Sequence, residues 1–227
     1  MTTTSAISWY GKLPSAGDFL QRRFPDALQR QWSHWFQVGL MNWQKEEQRG
    51  GERQFSNAPI WNFVVPPMLG GQQVQMGCLL PGRDSVGRQY PLCALMAINP
   101  LEWSPRHLAQ AGDWYQQLGR TMLHAVRNGY SPEQLDQALL AIPPVQLAEP
   151  EARSEILDVI GYEGDGESSI SWQQAAECFD PQRQISFWWT NRSDVYPLYT
   201  HVHSGNFTGQ LFTLLFEPAG GARPGRH

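Results

Sequence analysis

The sequence predicts an α/β domain of the α+β type: a three-layer sandwich with a mainly antiparallel sheet between helices. Three observations point to it. A long segment with helical apolar spacing opens the chain, several short apolar runs separated by Gly/Pro turns occupy residues 57–98, and two helix starts of unusual clarity follow. The connections between the apolar runs are short, which implies antiparallel pairing, because a parallel return needs a crossover of a dozen or more residues. At 227 residues, with 41% apolar residues and ten tryptophans, the chain has the material for one large core. Only 17% of it is charged, against about 25% in an average domain.

The first helix is expected from Asp26 to about Gln48. Asp26 and Gln29 resemble a capping box after the helix-hostile Pro25, and Leu28, Trp32, Trp35, Phe36, Gly39, Leu40 and Trp43 then recur at helical spacing. The stripe is read as a face packed on a sheet, with His34 on the solvated side. Ile60 to Val65, Val74 to Leu80 and Tyr90 to Ile98 read as strands, separated by Pro66-Pro67, Gly70-Gly71 and the polar turn Pro81 to Arg88. The almost unbroken apolar run at 92–98 predicts a central strand covered on both faces.

Ser104-Pro105 and Ser131-Pro132 each set a hydroxyl before a proline whose missing N–H is harmless at a helix start, and Gln134 completes a capping box for the second. Leu108, Ala111, Tyr115, Leu118, Met122 and Ala125 predict the buried stripe of one continuous helix that Asn128-Gly129 ends. Leu135, Ala138 and Leu139 do the same for the next, which Pro143-Pro144 ends. Residues 143–171 carry seven acids from Glu149 to Glu167 beside Arg153 alone and read as a surface excursion, without the spacing of a calcium loop. Strand signals return at Ile185 to Thr190 and Leu211 to Phe216, before a Gly/Pro/Arg tail at 218–227 that is expected to be disordered. The organisation expected is therefore one domain over 1–217.

Charge and cysteine content narrow the function classes. A net charge of −4, with the 17 basic residues spread along the chain, argues against nucleic acid, whose phosphates require a clustered basic surface. Three cysteines, Cys78, Cys93 and Cys178, at long spacings imply reduced, buried thiols rather than a disulfide framework. The first residues, MTTTSAIS, lack a cationic and an apolar signal region, and the longest apolar run falls far short of the ~18 residues of a membrane span. A cytoplasmic protein with no direct membrane insertion is expected.

No catalytic signature emerges. Gly82 to Arg88 (GRDSVGR) has the glycine spacing of a phosphate loop, but Arg88 replaces the lysine, Gln89 the metal-binding hydroxyl, and a strand follows where a helix is needed. His201-Val202-His203 would place two imidazoles on one strand face, yet no spacing supplies a third ligand, and exposed loop histidines are the simpler reading. No G-x-S-x-G elbow or Ser/His/Asp spacing is present. Neither a cofactor nor a metal is expected.

Two polar segments stand out in a chain so poor in charge: Gly11 to Phe19 (GKLPSAGDF) and Pro81 to Pro91 (PGRDSVGRQYP). One reading is internal: Asp18, Asp84 and Ser85 cap backbone groups, Arg88 pairs with a carboxylate, and the glycines adopt positive φ. The other is that Lys12, Arg83 and Arg88 converge on a phosphate or nucleotide if the two loops meet.

Together with Ser186 to Trp189 (SFWW), the segments Trp9 to Phe19 and Asp84 to Leu92 resemble, in residues and order, the TagF family of bacterial type VI secretion. The family pattern falls on Gly11, Lys12, Pro14, Gly17, Asp18 and Phe19, and on Asp84, Ser85, Gly87, Arg88 and Pro91. The resemblance implies a post-translational repressor that binds a secretion component, the forkhead-associated scaffold Fha, through these residues and not through catalysis. It also implies an interaction fold reminiscent of longin domains. Some family members carry a fused PP2C-type phosphatase, which nothing in this sequence resembles. The alternatives are a phosphate-binding enzyme or sensor using the Gly11–Phe19 and Gly82–Arg88 loops, and a structural part of the secretion apparatus.

Overall fold

The computed structural model describes residues 6–47, 55–67, 71–147, 176–191 and 197–216. The expected excursion beyond residue 147 and the 218–227 tail lie outside the described residues. The chain forms strands β1 (Ser8–Gly11), β2 (Leu20–Arg22), β3 (Trp61–Val65), β4 (Val74–Arg83), β5 (Gln89–Ile98), β6 (Ile185–Asn191) and β7 (Pro197–Ser204). Its helices are α1 (Asp26–Glu47), α2 (Pro105–Ala109), α3 (Gly112–Arg127), α4 (Pro132–Leu140) and α5 (Gly209–Phe216). The strands build one sheet in the order β2-β1-β5-β4-β3-β6-β7, with every neighbouring pair antiparallel.

The period-two side-chain rule explains why β4 and β5 sit at the centre. Val74, Met76, Cys78 and Leu80 of β4, with Leu92, Ala94, Met96 and Ile98 of β5, join a core shared with α2, α3 and α4. Leu79, Cys93, Leu95 and Ala97 point the opposite way, into a core shared with α1 and α5. Both faces of the hairpin are thus covered, as the run at 92–98 predicts. The two helical layers enclose the sheet as expected.

The tryptophan stripe of α1 is core. Leu28, Trp32, Trp35, Phe36, Leu40 and Trp43 are buried on the sheet, while His34 is exposed. Burying indoles leaves N–H groups to satisfy: Trp32 Nε1 donates to Gln75 Oε1 at 2.8 Å, and Trp35 Nε1 to the Thr208 carbonyl at 2.8 Å. Gly39 lets the Phe212 ring of α5 lie directly on the α1 backbone, where a Cβ would collide with it.

Several expectations are corrected. Leu211 to Phe216 is helix, not strand. A six-residue apolar run has no period to separate the two, and Thr208 settles the matter by accepting the Leu211 N–H on Oγ1 at 3.1 Å and the Phe212 N–H on its carbonyl at 3.1 Å. Strands β1, β2 and β7 were not anticipated; β2 and β7 are edge strands, and β2 has only three residues. His201 and His203 therefore sit on β7 and not in a loop.

The helix expected to run on from Pro105 breaks after Ala109 and restarts at Gly112, although its stripe from Leu108 to Ala125 stays buried. Pro25, not Asp26, occupies the cap of α1, since the Gln29 N–H donates to the Pro25 carbonyl at 2.8 Å. Asp26 sits in the first turn instead. The second capping box forms as read: the Gln134 N–H donates to Ser131 Oγ at 3.2 Å and the Ser131 N–H to Gln134 Oε1 at 2.9 Å. Cys78 and Cys93 are buried free thiols, but Cys178 is exposed. Among the described residues no helix is long and apolar enough to cross a membrane.

Candidate functional site

The two polar segments meet at one end of the central hairpin. β1 pairs with β5, with Tyr10 opposite Cys93 and Gly11 opposite Leu92, so the chain leaving β1 runs past the β4–β5 turn. β4 extends through Arg83, which shortens the turn to Asp84–Arg88 and leaves the first glycine of GRDSVGR inside a strand. The phosphate-loop spacing is thus a property of the letters and not of one loop.

Asp84 is the hub. It is 2% exposed, and both of its carboxylate oxygens are engaged. Oδ1 accepts the N–H groups of Val86 at 3.1 Å and Arg88 at 2.8 Å, which closes the turn, while Oδ2 accepts Lys12 Nζ at 2.9 Å and Arg88 Nε at 2.7 Å. Burial pushes the Asp84 carboxyl up. The bonds from the Lys12 ammonium, then from the Arg88 N–H and guanidinium, outweigh that and hold it well below the usual carboxylate range.

Lys12, at 6% exposed, is buried with its partner. Its ammonium also lies 4.6 Å from the centre of the Phe19 ring and 5.9 Å from that of Tyr90. Phe19 packs edge-on against Tyr90 at 4.7 Å, and the hydroxyls of Tyr10 and Tyr90 share a hydrogen bond of 2.8 Å beneath. Burial, reinforced by that bond, raises the Tyr90 phenol far above its ordinary value.

Two further bonds stitch the loops together: the Ser85 N–H donates to the Ala16 carbonyl at 2.9 Å, and Arg88 Nη2 to the Gly17 carbonyl at 3.0 Å. Gly11 has φ +145°, and a Cβ there would run into the Pro91 carbonyl, so the β1–β5 approach requires glycine. Gly87, at φ +88°, supplies the left-handed residue of the turn.

The eleven motif residues therefore divide. Gly11, Lys12, Asp84 and Pro91 are buried and Pro14 is half-buried, whereas Gly17, Asp18, Phe19, Ser85, Gly87 and Arg88 are exposed. Lys12 and Arg88 do converge, as the phosphate reading required, but on Asp84, whose single negative charge they share. Phe19 at 52% and Val86 at 72% exposed add apolar surface to the same tip. Sequence reasoning passed over Val86 and Tyr10. Val86 is an apolar residue within a polar turn, which is the signal the sequence offers for it, and nothing local pairs Tyr10 with Tyr90. Among the described residues no group of three or more His, Cys, Asp or Glu side chains is placed to hold a metal.

The sequence model of the TagF N-terminal domain, described as type VI secretion system-associated, matches residues 8–142. The crystal structure of PA0076 from Pseudomonas aeruginosa PAO1 is similar in fold, with a TM-score of 0.66 at 20% identity over 98% of this chain and 99% of that one. No curated protein sequence matches. Both polar segments fall inside the matched range. Strands β6 and β7 lie beyond it but complete the same sheet.

Proposed function

The chain belongs to the TagF family of type VI secretion system-associated proteins, and on that premise we propose that it is a post-translational negative regulator of type VI secretion. It acts by binding a secretion component, the forkhead-associated scaffold Fha, in the cytoplasm, and catalyses no reaction. The observation that carries this reading is the state of Asp84. Its two oxygens are engaged by Lys12, Arg88 and backbone N–H groups, so these three charged residues hold a loop in shape rather than face a substrate. A preorganised loop tip carrying Asp18, Phe19, Ser85 and Val86 suits protein recognition, because little ordering entropy is lost on docking.

Occlusion of a partner surface needs only affinity and a concentration above the dissociation constant. Isothermal titration of the purified protein against the purified scaffold, alongside secretion by cells overproducing the protein, tests the reading. Saturable binding together with reduced secretion is expected. Reduced secretion without binding would move the partner elsewhere, and binding of a nucleotide by the loops would favour the sensor alternative.

A further inference from the structure

Beside the Asp84–Arg88 turn, which lends it Gly87, α3 and the β4–β5 hairpin border an open groove of about 810 Å³. Ile60, Leu80, Leu123 and Val126 supply apolar floor, and Arg83 and Arg127 stand at its edges. A second hollow of about 500 Å³ adjoins it through the shared Leu123 and Arg127 and adds Arg120 and His124 from preceding turns of α3. Arg120, His124 and Arg127 follow at i, i+4 and i+7, so they present one helix face, and all three are exposed, as is Arg83. Among the described residues no Asp or Glu lines either hollow. In a chain whose net charge is −4, this is a local reversal of sign.

We infer that the groove docks an acidic, partly apolar peptide segment of a partner protein. Guanidinium groups recognise carboxylates through paired N–H donors, and the half-buried Ile60, Leu123 and Val126 offer apolar surface to the side chains between them. A nucleic acid fits less well. Its phosphates would meet the protein's overall negative field. Of the rings in the lining Phe55 is buried and Tyr130 half-buried, which leaves the His124 imidazole as the exposed one on which a base could stack, where single-strand binding uses a series of such platforms. The inference does not depend on which secretion component the protein binds.

Fluorescence anisotropy on the full chain tests it, with a labelled peptide of alternating Glu and Leu, a Lys/Leu counterpart and a single-stranded oligonucleotide as probes. The Glu/Leu peptide is expected to bind saturably and more weakly as salt is raised. The double variant R120E/R127E should lower its affinity about tenfold or more, and R83E alone severalfold, by replacing attraction with like-charge repulsion. Thermal melts confirm that each variant is folded; should the double variant not fold, R83E on the hairpin carries the test. Absence of saturable Glu/Leu binding, unchanged affinity in the folded variants, or tighter binding of the oligonucleotide or the Lys/Leu peptide would overturn the inference.

Discussion

Lys12 and Asp84, 72 residues apart in the chain, form a buried ion pair with Nζ 2.9 Å from Oδ2. Removing one member of such a pair leaves the other charge buried without compensation, which costs far more than losing a surface bridge. Asp84→Ala is expected to lower the melting temperature by about 10 °C or more. The double variant Lys12→Met with Asp84→Asn should lose clearly less than the sum of its two singles, because each single strands one buried charge and the double strands none. Thermal denaturation of the four proteins as a double-mutant cycle checks this.

Acid should weaken the fold through two carboxyls. Asp136 is held low by Arg23, against the effect of burial, with Trp9 Nε1 as a further donor at 2.8 Å, and Asp84 is lowered as described. A carboxyl lower in the folded than in the unfolded chain stabilises fully above the unfolded value. As pH falls, the unfolded chain takes up protons first, so stability declines from about pH 4 downward. Urea midpoints measured across that range should fall, and Asp136→Asn should show a shallower decline than the parent protein.

Gly11 and Gly87 should respond very differently to alanine. At Gly87 the cost is backbone strain alone, since nothing lies within 4 Å of an added Cβ; about 1 kcal/mol is expected. At Gly11 the strain at φ +145° adds to overlap with the Pro91 carbonyl and with Leu92 Cα at 2.8 Å, so a loss of about 3 kcal/mol or more is expected. Chemical denaturation of both variants gives the comparison.

The tryptophan stripe is a stability device. Trp32→Ala should cost about 3–5 kcal/mol. Trp32→Phe keeps the packing against Phe63 and Phe207 but leaves the buried Gln75 Oε1 without its indole donor, worth about 1–3 kcal/mol. Equilibrium unfolding separates the two contributions.

What could be read from the chain was local. The α1 stripe, the covered strand at 92–98 and the Ser131/Gln134 box each depend on neighbours a few residues away. Leu211 to Phe216 misled because its hydrophobicity is uniform and its helix is decided by Thr208. The site was half legible: the two polar segments could be found by their glycines and charges, but not that the Asp84 turn is locked by a lysine 72 residues earlier. That contact comes from the β1–β5 pairing, which no local pattern announces, and it turns Lys12 from a candidate surface charge into a buried one.

The central claim is that the buried members of the loops hold shape while the exposed tip meets the partner. It is tested most directly by capturing the scaffold with Asp18→Lys/Val86→Asp, a variant of two exposed residues, and measuring its melting temperature in the same preparation. Capture is expected to be lost while the melting temperature stays within about 2 °C of the parent, as surface substitutions ordinarily allow. Capture undiminished at equal stability would contradict it.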